Sequence, residues 1–225
     1  MSVFRPAFAI AMKDLRIEWR SRTALLTATC FAVLVLLIVV FARDTGSVSL
    51  TMTAPGVLWI ALALASMVAL NRGFLIEREH SAFDAILLAP VPRVSIFIGK
   101  WLANLGFVLG IVTIAFPLWI LFFAVPMSSR LGVVLGLVLL AAIGFTAIGT
   151  LFSAMTSRTR YAELLLPVLM LPFLIPPIFF AAQATVRVLA GRPMGELWGW
   201  FRFLALYDVL FVLLVAMLFP IVVDE

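Results

Sequence analysis

This chain has very few of the residues that carry out redox or metal chemistry, with one cysteine, Cys30, and one histidine, His80, among 225 residues. A single cysteine excludes an intramolecular disulfide and a CxxC redox pair. A lone histidine does not make a metal site or a haem axial pair, so a hydrogen-bonding or partner-contact role is expected for His80. The sequence also contains no GxxxxGK[ST] loop, no GxSxG and no HExxH. We therefore expect no enzyme activity, and no ATP, metal or other cofactor bound by this chain itself.

Charge is also scarce, and long apolar runs take its place. Only 12% of the residues are charged, 65% are hydrophobic, and the mean hydropathy is +1.23. A transmembrane helix needs about 20 apolar residues. Six segments meet that requirement and predict an all-α, polytopic membrane protein, with a single domain over residues 1–225: residues 23–42, 55–76, 100–123, 131–156, 162–184 and 203–223.

Residues 4–22 precede the first span and alternate apolar and basic side chains. Phe8, Met12, Leu15 and Trp19 fall on one helical face, which predicts an amphipathic helix on an anionic membrane surface. The alternative is an ordinary basic flank of the first span. That span is longer than a signal-peptide core, so we expect it to stay as a transmembrane helix.

Basic residues predict the orientation, because cytoplasmic loops are enriched in lysine and arginine. With both termini in the cytoplasm, 11 of the 16 basic residues lie inside and 5 outside. The inner set is Arg5, Lys13, Arg16, Arg20, Arg22, Arg72, Arg78, Arg93, Lys100, Arg158 and Arg160, and the outer set is Arg43, Arg130, Arg187, Arg192 and Arg202.

The segment between the second and third spans is the most organised polar stretch. Ser81 and Asp84 match a capping box, which predicts a short helix from about Ala82. Pro90 ends that helix, and Pro92 suits the first turn of the next one. An apolar stripe runs along the predicted helix at i, i+3 and i+4: Phe83, Ile86 and Leu87.

This segment resembles the coupling helix of ABC-2 type transporter permeases. The matching features are the charged cluster at residues 77–79, the apolar run ending in Pro90, and Gly99-Lys100. Three further motifs make the chain similar to the heme exporter protein B (CcmB) family. They are PGVLW at residues 55–59, NRGF at residues 71–74 and PVLMLP at residues 167–172.

The resemblance implies an ABC transporter permease in the bacterial inner membrane, for haem export or haem-chaperone release in cytochrome c maturation. It implies as partners an ABC ATPase subunit that binds ATP, a second copy of the chain, a haem-handling membrane protein and a periplasmic haem chaperone. Haem would then be handled by the complex. The residues it assigns to ATPase coupling are Glu77, Arg78, Glu79, His80, Phe83, Asp84, Ile86, Leu87 and Pro90.

Three other functions are alternatives, and the sequence provides evidence against the last of them. The chain would also suit an ABC-2 permease that exports a lipid, a polysaccharide or a drug, or a membrane scaffold subunit that transports nothing. An integral membrane enzyme would need His, Asp or Cys clustered at one depth, and the sequence shows no such cluster.

The late spans contain the residues expected to affect a pathway. Four prolines, Pro167, Pro172, Pro176 and Pro177, predict a kinked fifth span that is buried in protein or lines a polar cavity, as a moving part or as a fixed kink. Asp208 is predicted near the start of the sixth span, facing an outer cavity or paired with Arg202. Glu163 is expected to pair with Arg158 or Arg160.

Two packing features complete the sequence-based expectations. Residues 185–202 are predicted as an outer loop with interfacial tryptophans, either re-entrant or lying on the surface. Gly106-x-x-x-Gly110 and Gly132-x-x-x-Gly136 predict close helix approach in the third and fourth spans.

Overall fold

The computed structural model describes residues 3–42, 50–79, 90–156 and 162–224, with only the backbone at residues 50–51, 72–79, 162–164 and 224. These residues form seven helices and no strand: α1 Phe4–Ser21, α2 Thr23–Ala42, α3 Leu50–Glu79, α4 Arg93–Phe122, α5 Arg130–Thr156, α6 Ala162–Leu189 and α7 Met194–Asp224. Helices α2 to α7 are each long and apolar enough to cross a membrane. The prediction of an all-α polytopic membrane protein is confirmed.

The predicted spans agree best where apolar residues are uninterrupted. Helix α2 has the predicted bounds, and α5 begins one residue earlier than predicted. The predicted loop at residues 185–202 is wrong, because α6 continues to Leu189 and α7 begins at Met194. Only four residues, 190–193, connect these helices, so no separate re-entrant segment lies between them.

The α6–α7 turn is a glycine-capped helix end. Gly191 has φ 82°, its N–H donates to the carbonyl of Val188, and the N–H of Arg192 donates to the carbonyl of Arg187. This pair of bonds is the Schellman motif, which satisfies carbonyl groups that a helix end leaves unpaired. Arg130, at the start of α5, also donates to the Val188 and Arg192 carbonyls at 3.2 and 3.3 Å.

Helix α3 lies at the centre of the bundle and packs against α2, α4, α5 and α6. Two buried tryptophans fix its position. The indole N–H of Trp59 donates to Thr185 Oγ1 on α6 at 3.0 Å, and that of Trp119 on α4 donates to the Ala54 carbonyl at 2.7 Å. Since a buried indole needs an acceptor, these bonds determine how α3 is seated.

Helix α1 forms over nearly all of the predicted residues 4–22 and packs against α4 through small and polar residues. Phe8 and Trp19 are exposed, while Ala7 and Ala11 are buried. The exposed apolar residues alternate with bases, as expected of a helix on a membrane surface. Alanines allow the close backbone approach to α4, whereas the bulky residues of an interfacial helix face lipid.

Two acidic residues fix α1 in place. Asp14 bonds Lys100 Nζ on α4 at 2.9 Å, with only 4% of the lysine side chain exposed, and Lys13 at 2.8 Å. The buried carboxylate of Glu18 accepts the Leu25 N–H at 2.7 Å, in the first turn of α2. A carboxylate at that place satisfies an unpaired N–H and favours the helix dipole.

Glycines on α4 make room for this packing. A Cβ on Gly99 would lie 2.7 Å from the Ala7 carbonyl oxygen, and one on Gly106 would lie 2.8 Å from Leu15. The predicted close approach is confirmed for Gly106 and Gly110, the latter against Leu25 of α2. It is wrong within this chain for Gly132 and Gly136, because a Cβ at either position would meet no neighbouring atom within 4 Å.

Candidate functional site in the late membrane helices

The four prolines of the fifth span lie in one continuous helix, α6. Pro177 is buried, Pro167 is half-buried, and Pro172 and Pro176 are exposed. Of the two expected settings, burial in protein is not met within a single chain, because most of the apolar length of this helix faces outward. Prolines four residues apart share a helix face, which places Pro172 and Pro176 together on the outer side.

The buried proline, Pro177, leaves a backbone carbonyl of α6 that is bonded by a side chain of α7. Pro177 has no N–H, so the helix cannot make its usual bond to the Phe173 carbonyl four residues earlier. The hydroxyl of Tyr207 on α7 donates to that carbonyl instead. A carbonyl freed by a proline needs a partner in lipid, and here a side chain from the neighbouring helix is that partner.

An aromatic layer surrounds this bond. Phe211 lies edge-on to Phe173, with ring centroids 5.8 Å apart, and 4.3 Å from the Tyr207 ring. Phe152 on α5 lies 5.1 Å from Phe173. These contacts join α5, α6 and α7 at one level and partly bury the hydrogen bond.

Asp208 follows Tyr207 directly and is 4% exposed. Neither of its carboxylate oxygens has a hydrogen-bond partner, so of the two expected arrangements the pair with Arg202 is not formed. Asp208 also lies deeper than expected. Because α7 begins at Met194 and not near Phe203, 14 residues separate Asp208 from the start of the helix, or about 21 Å at 1.5 Å per residue.

Gly144 on α5 makes room for this carboxylate. A Cβ at Gly144 would collide with Asp208 Oδ1 and lie 3.2 Å from the Tyr207 ring. Helix α5 packs closely along α7. The glycine therefore allows a polar side chain to point into a helix interface that any larger residue would close.

Asp208 stands out in the sequence, whereas Gly144 and Tyr207 do not. Gly144 on α5 and Pro177 on α6 are far from Tyr207 and Asp208 in sequence, so no local pattern connects these four residues. Glu163 lies in the first turn of α6, where only its backbone is described. Within the described residues, no three His, Cys, Asp or Glu side chains come together as metal ligands would.

Most of the predicted ATPase-coupling residues lie outside the described residues: His80, Phe83, Asp84, Ile86 and Leu87. The last turn of α3 contains Glu77, Arg78 and Glu79, described by their backbone. Pro90 is exposed, and α4 begins at Arg93 directly after Pro92. The start of a new helix at this proline is as predicted, with Pro92 at the N-cap position.

Helix α3 is longer than the bilayer core is thick. Its 30 residues, Leu50–Glu79, span about 45 Å at 1.5 Å per residue, whereas the hydrocarbon core is about 30 Å thick. The charged residues of α3 all lie in its last eight residues: Arg72, Glu77, Arg78 and Glu79. The C-terminal end of α3 is therefore the part that suits the membrane surface.

Comparison with known proteins gives consistent matches along the chain. The model of the family described as CcmB protein matches residues 5–224. The chain is similar to Heme exporter protein B of Paracoccus denitrificans, with 30% identity over 84% of this chain and 87% of the relative. It is similar to Heme exporter protein B of Rhodobacter capsulatus, with 28% identity over 81% and 84% of the two chains. The protein of that name from Pseudomonas aeruginosa is 26% identical over 80% and 81%.

Proposed function

Because this chain belongs to the CcmB protein family, we propose that it is the permease subunit of an ABC transporter for haem export or haem-chaperone release in cytochrome c maturation. The relatives are named heme exporter proteins, and they match over most of their length. A multi-pass bundle of six apolar helices suits a permease. ATP hydrolysis is assigned to a separate ATPase subunit.

The observation that carries this proposal is the length of α3. A helix of 30 residues, or about 45 Å, exceeds the bilayer core, so the charged residues 77–79 at its end would lie outside the bilayer. The segment that begins there has the stripe of Phe83, Ile86 and Leu87, which suits a groove on a soluble partner. An ATPase that moves such a segment would transmit force along α3 and α4 into the bundle.

Both helices continue directly into the core. Helix α4 contacts α1, α2, α3, α5 and α7, and α3 holds the buried Trp59. Close-packed helices move as units because interiors resist compression. A push at residues 80–92 would therefore reach the late helices, where Tyr207 bonds the proline-containing helix.

The proposed setting is a bacterial inner membrane, with both termini in the cytoplasm. The contacts between helix ends are consistent with this topology. Arg130 contacts the α6–α7 turn that contains Arg192, and both arginines belong to the set expected outside. Lys100 bonds Asp14 of α1, and both belong to the end expected inside.

The proposed partners are the ATPase, a second copy of this chain, a haem-handling membrane protein and a periplasmic haem chaperone. Haem is assigned to the complex and not to a ligand in this chain. His80→Ala should therefore leave the haem absorption spectrum of the purified complex unchanged. Loss of that spectrum with assembly intact would show that His80 is a ligand.

The test of the coupling segment is Phe83→Arg. An arginine buried in an apolar groove has no partner, so its desolvation should expel the ATPase. We expect normal permease abundance in the membrane, with loss of ATPase co-purification and of ATPase stimulation. Glu77→Ala is the matched control, because we expect Glu77 at the rim of the groove, where a solvated charge contributes little. ATPase retained at normal permease level in Phe83→Arg would contradict the proposal.

A second measurement separates haem-related work from export of another substrate. The permease and its ATPase are reconstituted together, and ATP hydrolysis is measured with and without a haem-loaded chaperone. Stimulation by the loaded chaperone, absent with the haem-free one, supports the proposed function. Equal rates in both, combined with stimulation by a lipid, polysaccharide or drug, would assign the chain to another kind of export.

A further inference from the structure

Asp208 is the most unusual polar side chain of the described residues. It lies 14 residues after the start of α7 and 15 before Val223, so it sits near the middle of the span. It is buried, and both carboxylate oxygens lack a hydrogen-bond partner. Ionisable residues at such depth normally pair with one another or with backbone groups, because an isolated charge there is very costly.

No described basic side chain from the neighbouring helices is placed to balance a charge on Asp208. Helices α4, α5 and α6 pack against α7. Arg130 and Arg187, at helix ends, bond carbonyl groups of α6, and Arg187 also lies 4.4 Å from the Trp200 ring. Lys100 bonds Asp14. The remaining charged or titratable groups on these four helices, within the described side chains, are Arg93, Glu196, Arg202 and Tyr207.

Distance along the helices excludes the lysine as a partner. Phe97, one turn before Lys100, packs against Phe219 of α7 with ring centroids 5.6 Å apart. Phe219 is 11 residues from Asp208, or about 16 Å along the helix. Lys100 and Arg93, each about one turn from Phe97, therefore lie at a different depth. Arg202 is exposed, and the hydroxyl of Tyr207 is used by Phe173.

We propose that Asp208 is a proton-binding site inside the membrane domain. With a bound proton, the carboxyl is neutral and can occupy the apolar space at Gly144 without a counter-charge. Release of the proton would leave a bare charge between α5 and α7, so it requires this interface to open to water. The site takes a proton and not a metal ion, because hard cations need six or more oxygen ligands. The neighbouring hydroxyl, that of Tyr207, already donates to the Phe173 carbonyl.

The neighbouring residue gives this site a mechanical connection. Tyr207 precedes Asp208 and holds the Phe173 carbonyl on α6. A separation of α5 and α7 at Asp208 would therefore also displace the contact that stabilises the proline-containing helix. Protonation at one residue and the packing of three helices are thereby linked.

Carbodiimide labelling tests the proposal on the full-length chain in its native membranes. A lipid-soluble carbodiimide adds to a protonated carboxyl to form an acylisourea, whereas an exposed carboxyl is protonated in about one molecule in a thousand at pH ~7. At neutral pH we expect modification of Asp208, found by mass spectrometry of peptides from α7. Glu196 on the same helix is exposed and serves as the internal control, which should stay unmodified.

An infrared measurement covers the case in which the reagent is too large to enter. The difference spectrum of wild type minus Asp208→Asn should contain the carbonyl stretch of a protonated carboxylic acid at neutral pH. Modification of Asp208 or that band supports the site. Absence of both, with carboxylate bands in the difference spectrum, would show an ionised Asp208 and overturn the proposal. Wild-type labelling needs no variant, so the test does not depend on the folding of Asp208→Asn.

Discussion

The hydroxyl of Tyr207 on α7 donates a hydrogen bond to the carbonyl of Phe173 on α6, in the place of the N–H that Pro177 lacks. The bond is partly buried beside an aromatic layer. A helix interruption in a membrane is stable only where such freed backbone groups find partners. One side chain of α7 thus supports an irregularity of its neighbour.

The first prediction concerns this bond. Tyr207→Phe removes the donor and leaves the Phe173 carbonyl unpaired, which should cost about 1 kcal/mol. In a chain of this size that corresponds to about 2–4 °C in apparent Tm. Thermal unfolding of the purified protein, followed by tryptophan fluorescence, measures the difference.

A double-mutant cycle shows whether the proline is the reason. Pro177→Ala restores an N–H, so the cost of Tyr207→Phe should shrink in that background. Pro172→Ala is the matched control. It restores an N–H that bonds the Val168 carbonyl and not the Phe173 carbonyl, so the cost of Tyr207→Phe should be unchanged in it. Equal costs in all three backgrounds would mean that Tyr207 acts through packing alone.

The second prediction compares two lysines that share one carboxylate. Lys100→Met removes the buried partner of Asp14, and breaking a buried pair costs about 3–5 kcal/mol because a charge is left without compensation. Lys13→Met removes the more exposed partner, which is 39% exposed, and should cost less than about 1 kcal/mol. Membrane abundance and Tm of both variants are measured together.

The same comparison separates charge from packing. Asp14→Asn combined with Lys100→Met replaces the ion pair by neutral groups, so the double variant should recover part of the stability lost in Lys100→Met. Loss of stability that is equal in Lys100→Met and Lys13→Met would contradict the burial argument. A double variant no better than the single one would show that α1 depends on lysine packing.

The membrane spans were predictable because apolar composition alone requires them. Residues 23–42 and 131–156 contain no interrupting charge, and the structure has these helices within one residue of the predicted bounds.

The loop predicted at residues 185–202 was wrong because Arg187 and the tryptophans are typical of an interfacial loop. In the structure, Arg187 bonds Gln183 at 2.7 Å and lies over Trp200, so its charge is accommodated on the helix. A hydropathy average depends only on residue type, so it does not include the contacts that accommodate such a charge.

The candidate site was predictable only in part. Asp208 and the prolines stand out because charge and proline are unusual in membrane helices. Their partners come from other helices. Gly144 and Tyr207 are ordinary residues in their own segments, and only the packing of α5, α6 and α7 gives them a role. The coupling stripe stays a prediction, because Phe83, Ile86 and Leu87 lie outside the described residues.

The third prediction uses glycines with opposite surroundings. Gly99→Ala places a methyl group 2.7 Å from the Ala7 carbonyl oxygen, so α1 must shift. Overpacking of this kind costs about 1–3 kcal/mol. Gly136→Ala meets no atom within 4 Å and removes a flexible residue from a helix, so it should be neutral or slightly stabilising. Equal loss of Tm in both variants would contradict the role of Gly99 in seating α1.

The last prediction fixes the orientation. The chain has one cysteine, so Cys30→Ser gives a background without thiols in which single cysteines can be placed. Pro90 and Pro193 are both exposed. Pro90 lies between basic residues that belong to the eleven expected inside, and Pro193 lies between basic residues that belong to the five expected outside. Because lysine and arginine are retained on the cytoplasmic side, a membrane-impermeant maleimide applied to intact cells should label Pro193→Cys and leave Pro90→Cys unlabelled. Both should be labelled after the cells are opened, which shows that each thiol is accessible. Labelling of Pro90→Cys in intact cells would place the end of α3 outside the cytoplasm, where no ATPase could reach residues 77–90, and the coupling proposal would fall with the orientation.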